Sequence, residues 1–455
     1  MAVSTAQGAN GDGAQYFAQG IGLLAKNLAD DIMHWLECGF DSTTERFYVY
    51  DDGVWRLNGG RIEQEISRLL GNRYRTTHTK HVLDLIRYSD NAARITCKPL
   101  PQFINVPNGM VDWESGELLA HASHYLSTVQ LPVEYDPDAT CPKVERFLEE
   151  VLPPDCIEFI WEVIGYTMFS GNPLHAAVLL YGKGRNGKGT LIRLLKALVG
   201  ERNCSAVGLH ELTENRFRTA TLYGKLANLA GDLDSRWVAN TAAFKAITGG
   251  DLIQAEFKFG AAFDFTPWAL PVYSANKAFG SADSSEGWVS RWTVVPFPNT
   301  FAGNEDRNLD SELHSAAELR GVMARGIRAL PLLLKRGQFQ EPESVKEAKD
   351  AFVAASDTVR GWISEQCTLD PKSWQSRTEL YNAYLTHPLT QGSKLLSGRE
   401  FYNRLEQVSG IVAAKRQGTR GFKGIKLGRP PGVAQDGTAP TAAPGTLARI
   451  HRSRW

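Results

Sequence analysis

Residues 176–190 read AAVLLYGKGRNGKGT, and this stretch decides the architecture of the middle of the chain. Residues 176–181 form an apolar run short enough for a buried strand. Four leucines then recur at helical spacing between residues 191 and 198, and Gly200 follows as a helix cap. Between a strand and a helix, glycines let backbone N–H groups turn inward around phosphate groups, and the helix N-terminus adds partial positive charge. The stretch therefore predicts a site for a nucleoside triphosphate.

The whole glycine-rich loop is expected to contact that nucleotide. Lys188 neutralises the β- and γ-phosphates, while Gly189 stands where the usual pattern has a hydroxyl for Mg²⁺. Thr190 supplies a hydroxyl one residue later. The alternative is a glycine-rich turn that binds no ligand. The predicted nucleotide-binding residues are Gly182, Lys183, Gly184, Arg185, Asn186, Gly187, Lys188, Gly189 and Thr190.

Two later strands end in polar residues of the kind that a bound triphosphate requires. The mostly apolar residues 226–231 lead to Asp232 and Asp234, of which either can hold Mg²⁺ while the other polarises the attacking water. Residues 271–275 lead to Asn276, whose amide can position that water or sense the γ-phosphate. A solvated turn explains the acidic pair equally simply when it is considered alone.

A predicted hairpin and an arginine follow the acidic pair. Residues 255–259, AEFKF, read as one arm of a hairpin, with its return at residues 263–267. Lys258 can touch a nucleic-acid phosphate while Phe259 leans on a sugar or base. Alternation also allows Phe257 and Phe259 to lie in the core with Lys258 outside. Arg291, in GWVSRW, can reach a neighbouring subunit's nucleotide or stack on a surface tryptophan.

The C-terminal part is rich in predicted helix and ends in a basic ribbon. Helical spacing covers residues 345–362 and 378–384, and a capping box at residues 397–400 opens a helix over residues 401–408. Residues 411–427 read as a β-ribbon, so the order is that of a winged-helix domain. Its basic side chains predict DNA contact, against the alternative of a solvated charged hairpin. They include Lys415, Arg416, Arg420 and Lys423.

Bulk properties limit the class of protein only loosely. The chain has 455 residues, and its 50 Lys and Arg balance 50 Asp and Glu, so net charge neither proves nor excludes a nucleic-acid partner. Six scattered cysteines without a CxxC pair argue against a disulfide framework or structural zinc. Neither a signal-peptide pattern nor a membrane-length apolar run is present, so a cytoplasmic protein with no membrane partner is expected.

These observations predict an α/β protein built around a phosphate-loop (P-loop) motor. The predicted divisions are an N-terminal mixed α/β domain over residues 1–130, a helical collar-like subdomain over 131–175 and the motor over 176–335. A winged-helix-like DNA-binding domain over residues 340–428 and a disordered Pro/Ala/Gly-rich tail over 429–455 complete the chain.

The motifs in this order resemble those of superfamily 3 helicases of the phage and plasmid primase–helicase type, which includes the poxvirus primase–helicase. The resemblance implies an AAA+-like motor in which Lys188 belongs to Walker A, and Asp232 and Asp234 to Walker B. It also makes Lys258 the pore-hairpin lysine, Asn276 the sensor and Arg291 the arginine finger. The implied activity is ATP- and Mg²⁺-dependent 3′ to 5′ unwinding of DNA by a ring, a homohexamer, for replication of a phage, plasmid or integrated element.

Several features depart from that pattern. Besides Gly189, Ser290 stands where relatives often carry a second arginine. The nearest pair of aspartates, Asp136 and Asp138, lies in a predicted linker, so no primase domain is expected. Two other readings stay open: a phosphotransferase that uses the same loop, and an ATP-binding origin- or DNA-binding protein without helicase activity.

Overall fold

The computed structural model describes residues 13–98, 100–233, 238, 240–281, 283, 285–303, 306–387 and 395–428. The chain divides into two compact units, Met1–Ser356 and Asp357–Trp455. Among the described residues, no helix combines the length and the apolar character that crossing a lipid bilayer requires. Short 3₁₀ turns occur at Ala14–Tyr16, Gly71–Arg73, Ser123–Tyr125, Pro154–Cys156, Glu201–Asn203 and Ala220–Leu222.

The first unit begins with a mixed α/β region. Ile62, Ile66 and Leu70 recur every four residues and are fully buried, so this helix packs one stripe against the core. A turn at Asp52 and Gly53 joins two antiparallel strands, and both residues have positive φ. The helices are α1 (Ala25–Trp35), α2 (Arg61–Leu70) and α3 (Thr76–Tyr88). The strands are β1 (Phe17–Ala18), β2 (Gly22–Leu23), β3 (Cys38–Asp41), β4 (Arg46–Asp51), β5 (Val54–Leu57) and β6 (Ala93–Arg94), with a four-stranded sheet of order β5-β4-β3-β6.

A small antiparallel sheet and two helices lead to the centre of the unit. The sheet comprises β7 (Phe103–Val106), β8 (Gly109–Asp112) and β9 (Leu118–Leu119). The helices are α4 (Pro142–Val151) and α5 (Ile157–Met168). Glu318, distant in sequence, accepts hydrogen bonds from the backbone N–H groups of Lys143 (3.3 Å) and Val144 (3.0 Å) in the first turn of α4. This carboxylate supplies the N-terminal cap that Cys141 lacks.

Five parallel strands form the central sheet, in the order β11-β12-β15-β10-β16. Along β10, Val178 and Leu180 join one hydrophobic core, while Ala177 and Leu179 join a second core on the opposite face. A parallel sheet buried on both faces is the expected product of continuous apolar strands. The strands are β10 (Ala177–Tyr181), β11 (Cys204–Ser205), β12 (Ala227–Leu233), β13 (Ile253–Glu256), β14 (Ala262–Phe265), β15 (Leu270–Ala275) and β16 (Trp292–Pro296), with β13 and β14 as a separate hairpin.

Helices cover both faces of this sheet. They are α6 (Lys188–Val199), α7 (Leu209–Glu214), α8 (Arg216–Thr219), α9 (Ala242–Gly249), α10 (Glu286–Val289), α11 (Leu309–Leu313), α12 (Ala316–Arg336) and α13 (Glu343–Ser356). Helices α5 and α12 cross very closely, because a Cβ added at Gly165 would lie 2.3 Å from the carbonyl oxygen of Gly326. The predicted collar-like region, residues 131–175, therefore shares its core with the sheet and α12 and is not a separate compact unit.

Within residues 357–387 and 395–428, the second unit combines three helices with a three-stranded antiparallel sheet of order β17-β19-β18. Its elements are α14 (Thr358–Gln366), β17 (Cys367–Ser376), α15 (Arg377–Leu385), α16 (Gly398–Glu406), β18 (Val412–Arg416) and β19 (Thr419–Leu427). The predicted capping box is confirmed, since Ser397 Oγ accepts from Glu400 N and the Glu400 carboxylate accepts from Ser397 N. The predicted tail, residues 429–455, lies outside the described residues.

Two details of the C-terminal prediction are wrong. The helix predicted over residues 345–362 is broken at Asp357, whose carboxylate accepts from Val359 N (3.0 Å) and Arg360 N (3.3 Å) and so starts a new helix. The unit boundary falls at this break and not near residue 340, because Phe352 of α13 is buried in the second core of the sheet. Strand β17, which contains Pro371, was not among the predicted elements. The strand accommodates the proline at the sheet edge, where its register shifts between Asp370 and Trp374.

Candidate functional site

The glycine-rich loop, residues 182–187, connects β10 to α6 and is fixed at both ends. A Cβ at Gly182 would lie 2.3 Å from the carbonyl oxygen of Phe297, so only glycine fits there. Gly187 has a φ of 93°, and a Cβ at this position would lie 2.7 Å from Val151 Cγ1. Between them, Asn186 is 2% exposed and donates its Nδ2 to the Phe297 carbonyl at 3.0 Å. The loop is thus held against Phe297, the residue that follows β16.

Lys188, the first residue of α6, turns back into this loop. Its Nζ donates to the carbonyl oxygens of Gly182 (2.8 Å) and Lys183 (3.0 Å) and to Asn186 Oδ1 (2.9 Å). The residue is 4% exposed, and burial lowers the pKa of its ammonium group, an effect that the charge of Asp232 partly offsets. A buried cation with three neutral oxygen partners lacks a countercharge in contact, and an anionic ligand would supply one.

The carboxyl ends of the neighbouring strands bring Asp232 and Asn276 to the same place. The pairing of β12 with β15 shifts register between Ala230 and Leu233, and Asp232 inside this bulge has a φ of 49°. Its backbone N–H donates to Ser274 Oγ of β15 at 3.0 Å. Bulges near functional sites re-aim side chains, and an aspartate tolerates this backbone conformation better than most residues.

These side chains line one cleft of about 540 Å³. Its volume lies within the range typical of small-molecule sites. The predicted partner Asp234 lies outside the described residues. The cleft is lined by Gly184, Arg185, Asn186, Gly187, Lys188, Gly189, Thr190, Ile192, Arg193, Gly231, Asp232, Ser274 and Asn276.

The donor set fits a magnesium-bound nucleotide. The loop offers backbone N–H groups at a helix N-terminus for phosphate, and Asp232 and the Thr190 hydroxyl line the cleft as hard oxygen ligands. Magnesium keeps several waters and takes only one or two protein carboxylates when phosphates also bind it. The described ranges contain no group of three or more His, Cys, Asp or Glu that could hold a metal alone.

Thr190 has a neighbour that sequence reasoning missed. Its Oγ1 accepts a hydrogen bond from Arg193 Nη2 at 3.2 Å. Arg193 in turn pairs with Asp310 of α11, through Nε to Oδ2 (2.7 Å) and Nη2 to Oδ1 (3.1 Å). Helical spacing alone places residue 193 beside residues 189 and 190, so this half of the contact could have been found. Asp310 could not, because nothing in the sequence marks it as a partner of α6.

Arg291 lies at the opposite end of the sheet. Its carbonyl accepts from Ala177 N at 2.7 Å, where β10 begins, whereas the loop follows Tyr181 at the end of β10. At the usual rise per residue these ends are roughly 13 Å apart. The guanidinium donates to the Gly287 carbonyl and lies beside Gly249. Arg291 is therefore not brought together with Lys188, Asp232 and Asn276 within one chain.

The predicted hairpin is present as β13 and β14, with Ala255 opposite Phe263. Phe257 stacks on Phe263, with ring centroids 4.9 Å apart, but Phe259 is 95% exposed at the turn and has a φ of 66°. The alternative that buries both phenylalanines is therefore wrong for Phe259. The Lys258 ammonium lies 5.0 Å from the Phe259 ring centroid.

Arg46 of β4 supports the base of this hairpin. Its guanidinium carbon lies 3.7 Å from the centroid of the Phe257 ring. Tyr223, in edge-on contact with Phe263, donates its hydroxyl to Asp41 at 2.6 Å. Because Asp41 pairs with Arg46 across β3 and β4, the N-terminal sheet holds the hairpin at two points.

The basic ribbon of the second unit is strands β18 and β19. Lys415 lies directly opposite Arg420 in their antiparallel pairing. Lys415, Arg416, Arg420 and Lys423 are all exposed. Like charges directly opposite each other destabilise a sheet, and a bound polyanion removes that cost.

Two family models match the chain. One, described as D5 N terminal like, covers residues 29–153. The other is a family of unknown function, DUF5906, and it covers residues 180–291, from β10 to Arg291.

Two viral proteins are similar in sequence. "Putative helicase L207/L206" of Acanthamoeba polyphaga mimivirus is 26% identical over 256 residues, which are 53% of this chain and 26% of that protein. "Putative helicase 022R" of Frog virus 3 (isolate Goorha) is 23% identical over 270 residues, 53% of this chain and 27% of that protein. These matches make parts of the chain similar to D5-like and helicase-named viral proteins. It spans about a quarter of the length of these two relatives.

Two solved structures are similar in fold over most of this chain. A structure described as the apo structure of NrS-1 C terminal region superposes with a TM-score of 0.52 at 13% identity, over 88% of this chain and 99% of that one. A second, described as an A form apo structure of the same region, gives a TM-score of 0.50 at 12% identity, over 87% and 98% of the two chains. At these identities the likeness concerns the fold alone.

Proposed function

We propose that the protein is an ATP-dependent DNA helicase that works as a ring. The observation that carries the proposal is the convergence of Lys188, Asp232 and Asn276 on one cleft at the carboxyl edge of a parallel sheet. Open α/β sheets bind their ligands at this edge. The names of the viral relatives support the same class of activity.

The strand order supports an AAA+-like phosphate-loop motor over about residues 176–335. Strand β15, which ends near Asn276, lies between β10, which leads to the loop, and β12, which carries Asp232. This order puts a polar sensor between the phosphate-binding loop and the acidic strand. In the proposed site, Lys188 would bind the β- and γ-phosphates, Asp232 would hold Mg²⁺, and Asn276 would orient the attacking water. The metal lowers the barrier by neutralising charge on the transferring phosphoryl group.

DNA contact is proposed at two surfaces. The exposed Phe259 ring and the Lys258 ammonium at the tip of the β13–β14 hairpin offer a stacking face and a phosphate contact, which suit a single strand in a ring channel. In the second unit, the order helix, strand, helix, helix and ribbon supports a winged-helix-like domain. Its exposed basic ribbon suits the backbone of duplex DNA.

A shared active site accounts for the position of Arg291. The residue lies too far from its own loop to contact a nucleotide there, so a role as arginine finger requires the loop of a neighbouring subunit. A closed ring, which we take to be a homohexamer, provides such heterologous interfaces. The proposed direction, 3′ to 5′ along the bound strand, and a role in replication of a phage, plasmid or integrated element rest on the family resemblance.

Steady-state ATP hydrolysis with and without single-stranded DNA tests the proposal. The wild type should hydrolyse ATP faster when DNA is present and should separate a fork that carries a 3′ single-stranded arm in preference to one with a 5′ arm. Lys188→Ala should lose hydrolysis by at least about a hundredfold, because the developing phosphoryl charge loses its cation. Hydrolysis at the same rate with and without DNA would contradict a DNA-driven motor. A preference for forks with a 5′ arm would contradict the proposed 3′ to 5′ direction.

One observation favours a second candidate, an ATP-binding DNA-binding protein without helicase activity. Gly189 leaves no hydroxyl beside Lys188, and the Thr190 hydroxyl accepts from a guanidinium. A loop that binds ATP but activates it poorly would serve as a structural or switching element. ATP binding without measurable hydrolysis, with DNA retention through the ribbon, would establish this candidate.

A further inference from the structure

Arg193 folds back over the first turn of α6. Its Nη1 lies 3.2 Å from where a Cβ of Gly189 would be. Long helical side chains lean toward the helix N-terminus, which in α6 is the phosphate-binding end. The guanidinium therefore occupies the space beside Gly189 and lines the same cleft as Lys188.

Gly189 makes this position available. A serine or threonine at residue 189 would bring its Cβ into a contact tighter than most Cβ atoms make, and its hydroxyl would compete for the same volume. The guanidinium of Arg193 can thus lie here because residue 189 has no side chain and therefore no hydroxyl. Where the usual loop has a metal-binding hydroxyl oxygen, this loop has room for the guanidinium of Arg193.

The hydrogen bonds of Arg193 leave one nitrogen available. Asp310 and Thr190 engage Nε and Nη2. Nη1, the nitrogen nearest Gly189, makes no hydrogen bond among the described residues and carries two donors. Asp310 holds the guanidinium plane through two contacts, and the pair is about half exposed. The arginine is oriented while part of its donor set still faces the cleft.

We propose that Arg193 is a nucleotide-contacting residue that donates to phosphate oxygens from the place where the loop lacks a hydroxyl. Asp310 is its positioning residue. The inference rests on the proposed binding of ATP at this loop. Because a fixed cation already stands there, and a guanidinium close to Mg²⁺ repels it, nucleotide binding should depend less on Mg²⁺ than in a loop with a hydroxyl after the lysine.

Equilibrium binding of a fluorescent ATP analogue, in Mg²⁺ and in EDTA, tests the inference. We expect wild type to retain binding in EDTA and Arg193→Ala to bind about tenfold or more weakly, as expected for loss of a charge-assisted hydrogen bond. Arg146→Ala, which removes an exposed arginine ion pair from α4, is the matched control and should bind like wild type. Gly189→Ser should also weaken binding in EDTA, because it displaces the guanidinium.

The outcomes separate this inference from the proposed function. If wild type binds no ATP in either buffer, the proposed function fails. The inference is overturned if wild type binds ATP but Arg193→Ala binds it equally well in EDTA. It is also overturned if Arg193→Ala binds ATP more tightly than wild type does in Mg²⁺, because Arg193 would then only obstruct the metal. Thermal unfolding of each variant controls for folding, and the exposed Arg193–Asp310 pair should contribute little to it.

Discussion

Lys188 has an ammonium group that is unfavourable to bury and that is also the proposed contact for phosphate. Its ammonium is buried among three neutral oxygens, and burial lowers its pKa. In the absence of an anion the loop itself supplies the hydrogen bonds. An incoming phosphate would replace those carbonyl contacts by charge-assisted ones, which are stronger.

The lowered pKa of Lys188 predicts a pH dependence of ATP binding. Only the protonated amine attracts phosphate, so the contribution of Lys188 to affinity is constant below this pKa and falls as pH rises through it. Because burial lowers the pKa, the fall should begin at a lower pH than for an exposed lysine. Bound phosphate stabilises the ammonium, so binding above neutral pH should take up protons.

Calorimetric titration in buffers of different ionisation enthalpy measures that uptake. Lys188→Arg keeps its charge across the accessible pH range and should bind without the uptake. An identical proton count for wild type and Lys188→Arg would show that another group titrates.

The β13–β14 hairpin is an element whose position depends on a distant part of the chain. Its exposed tip carries Lys258 and Phe259, whereas its base is held by Arg46 stacked on Phe257 and by the contact of Phe263 with Tyr223. The stacking energy of such a cation on a ring is about 1 kcal/mol. A hairpin that moves DNA must be held firmly at its base, and the N-terminal sheet provides that support.

Arg46→Ala should therefore impair the use of DNA while sparing the nucleotide site. We expect basal ATP hydrolysis to stay unchanged and stimulation by single-stranded DNA to fall about two- to fivefold, in proportion to the lost stacking energy. Arg73→Ala is the matched control, because Arg73 lies over Phe17, 5.7 Å from its centroid, and away from the hairpin. Equal stimulation in wild type and Arg46→Ala would mean that the hairpin needs no support from the N-terminal sheet.

In the molecule as a whole, the nucleotide cleft and Arg291 lie at opposite ends of one sheet. The two ends of β10 separate them by a distance that no side chain can cross. A functional link between them therefore requires two copies of the chain. If Arg291 acts as the proposed arginine finger, ATP hydrolysis therefore requires an assembly of at least two copies of the chain.

Mixing two inactive variants tests the shared site. Lys188→Ala and Arg291→Ala should each abolish DNA-stimulated hydrolysis, but a random equal mixture leaves both groups intact at about a quarter of the interfaces. Activity should recover toward that fraction after subunit exchange. Mixed rings can be verified by native mass measurement. No recovery in verified mixed rings would contradict a role for Arg291 across the interface.

Much of the architecture follows from local pattern. The run of apolar residues before the loop, the leucine spacing after it and the capping box at residues 397–400 each predict an element that the structure contains. Local backbone preference and side-chain periodicity fix these elements, because neighbours in sequence are neighbours in space. The loop itself could be predicted because its glycines, Lys188 and Thr190 follow a recognisable spacing between an apolar strand and a helix.

Long-range pairing was decided only by the tertiary structure. The strand order, the support of the hairpin by Arg46, and the Arg193–Asp310 pair all join residues that are far apart in sequence. Strand β17 also escaped prediction, since Pro371 is compatible with a strand only at a sheet edge. Packing of the whole chain decides whether a residue lies at a sheet edge, beside a glycine or opposite a distant carboxylate. Sequence periodicity does not predict these positions.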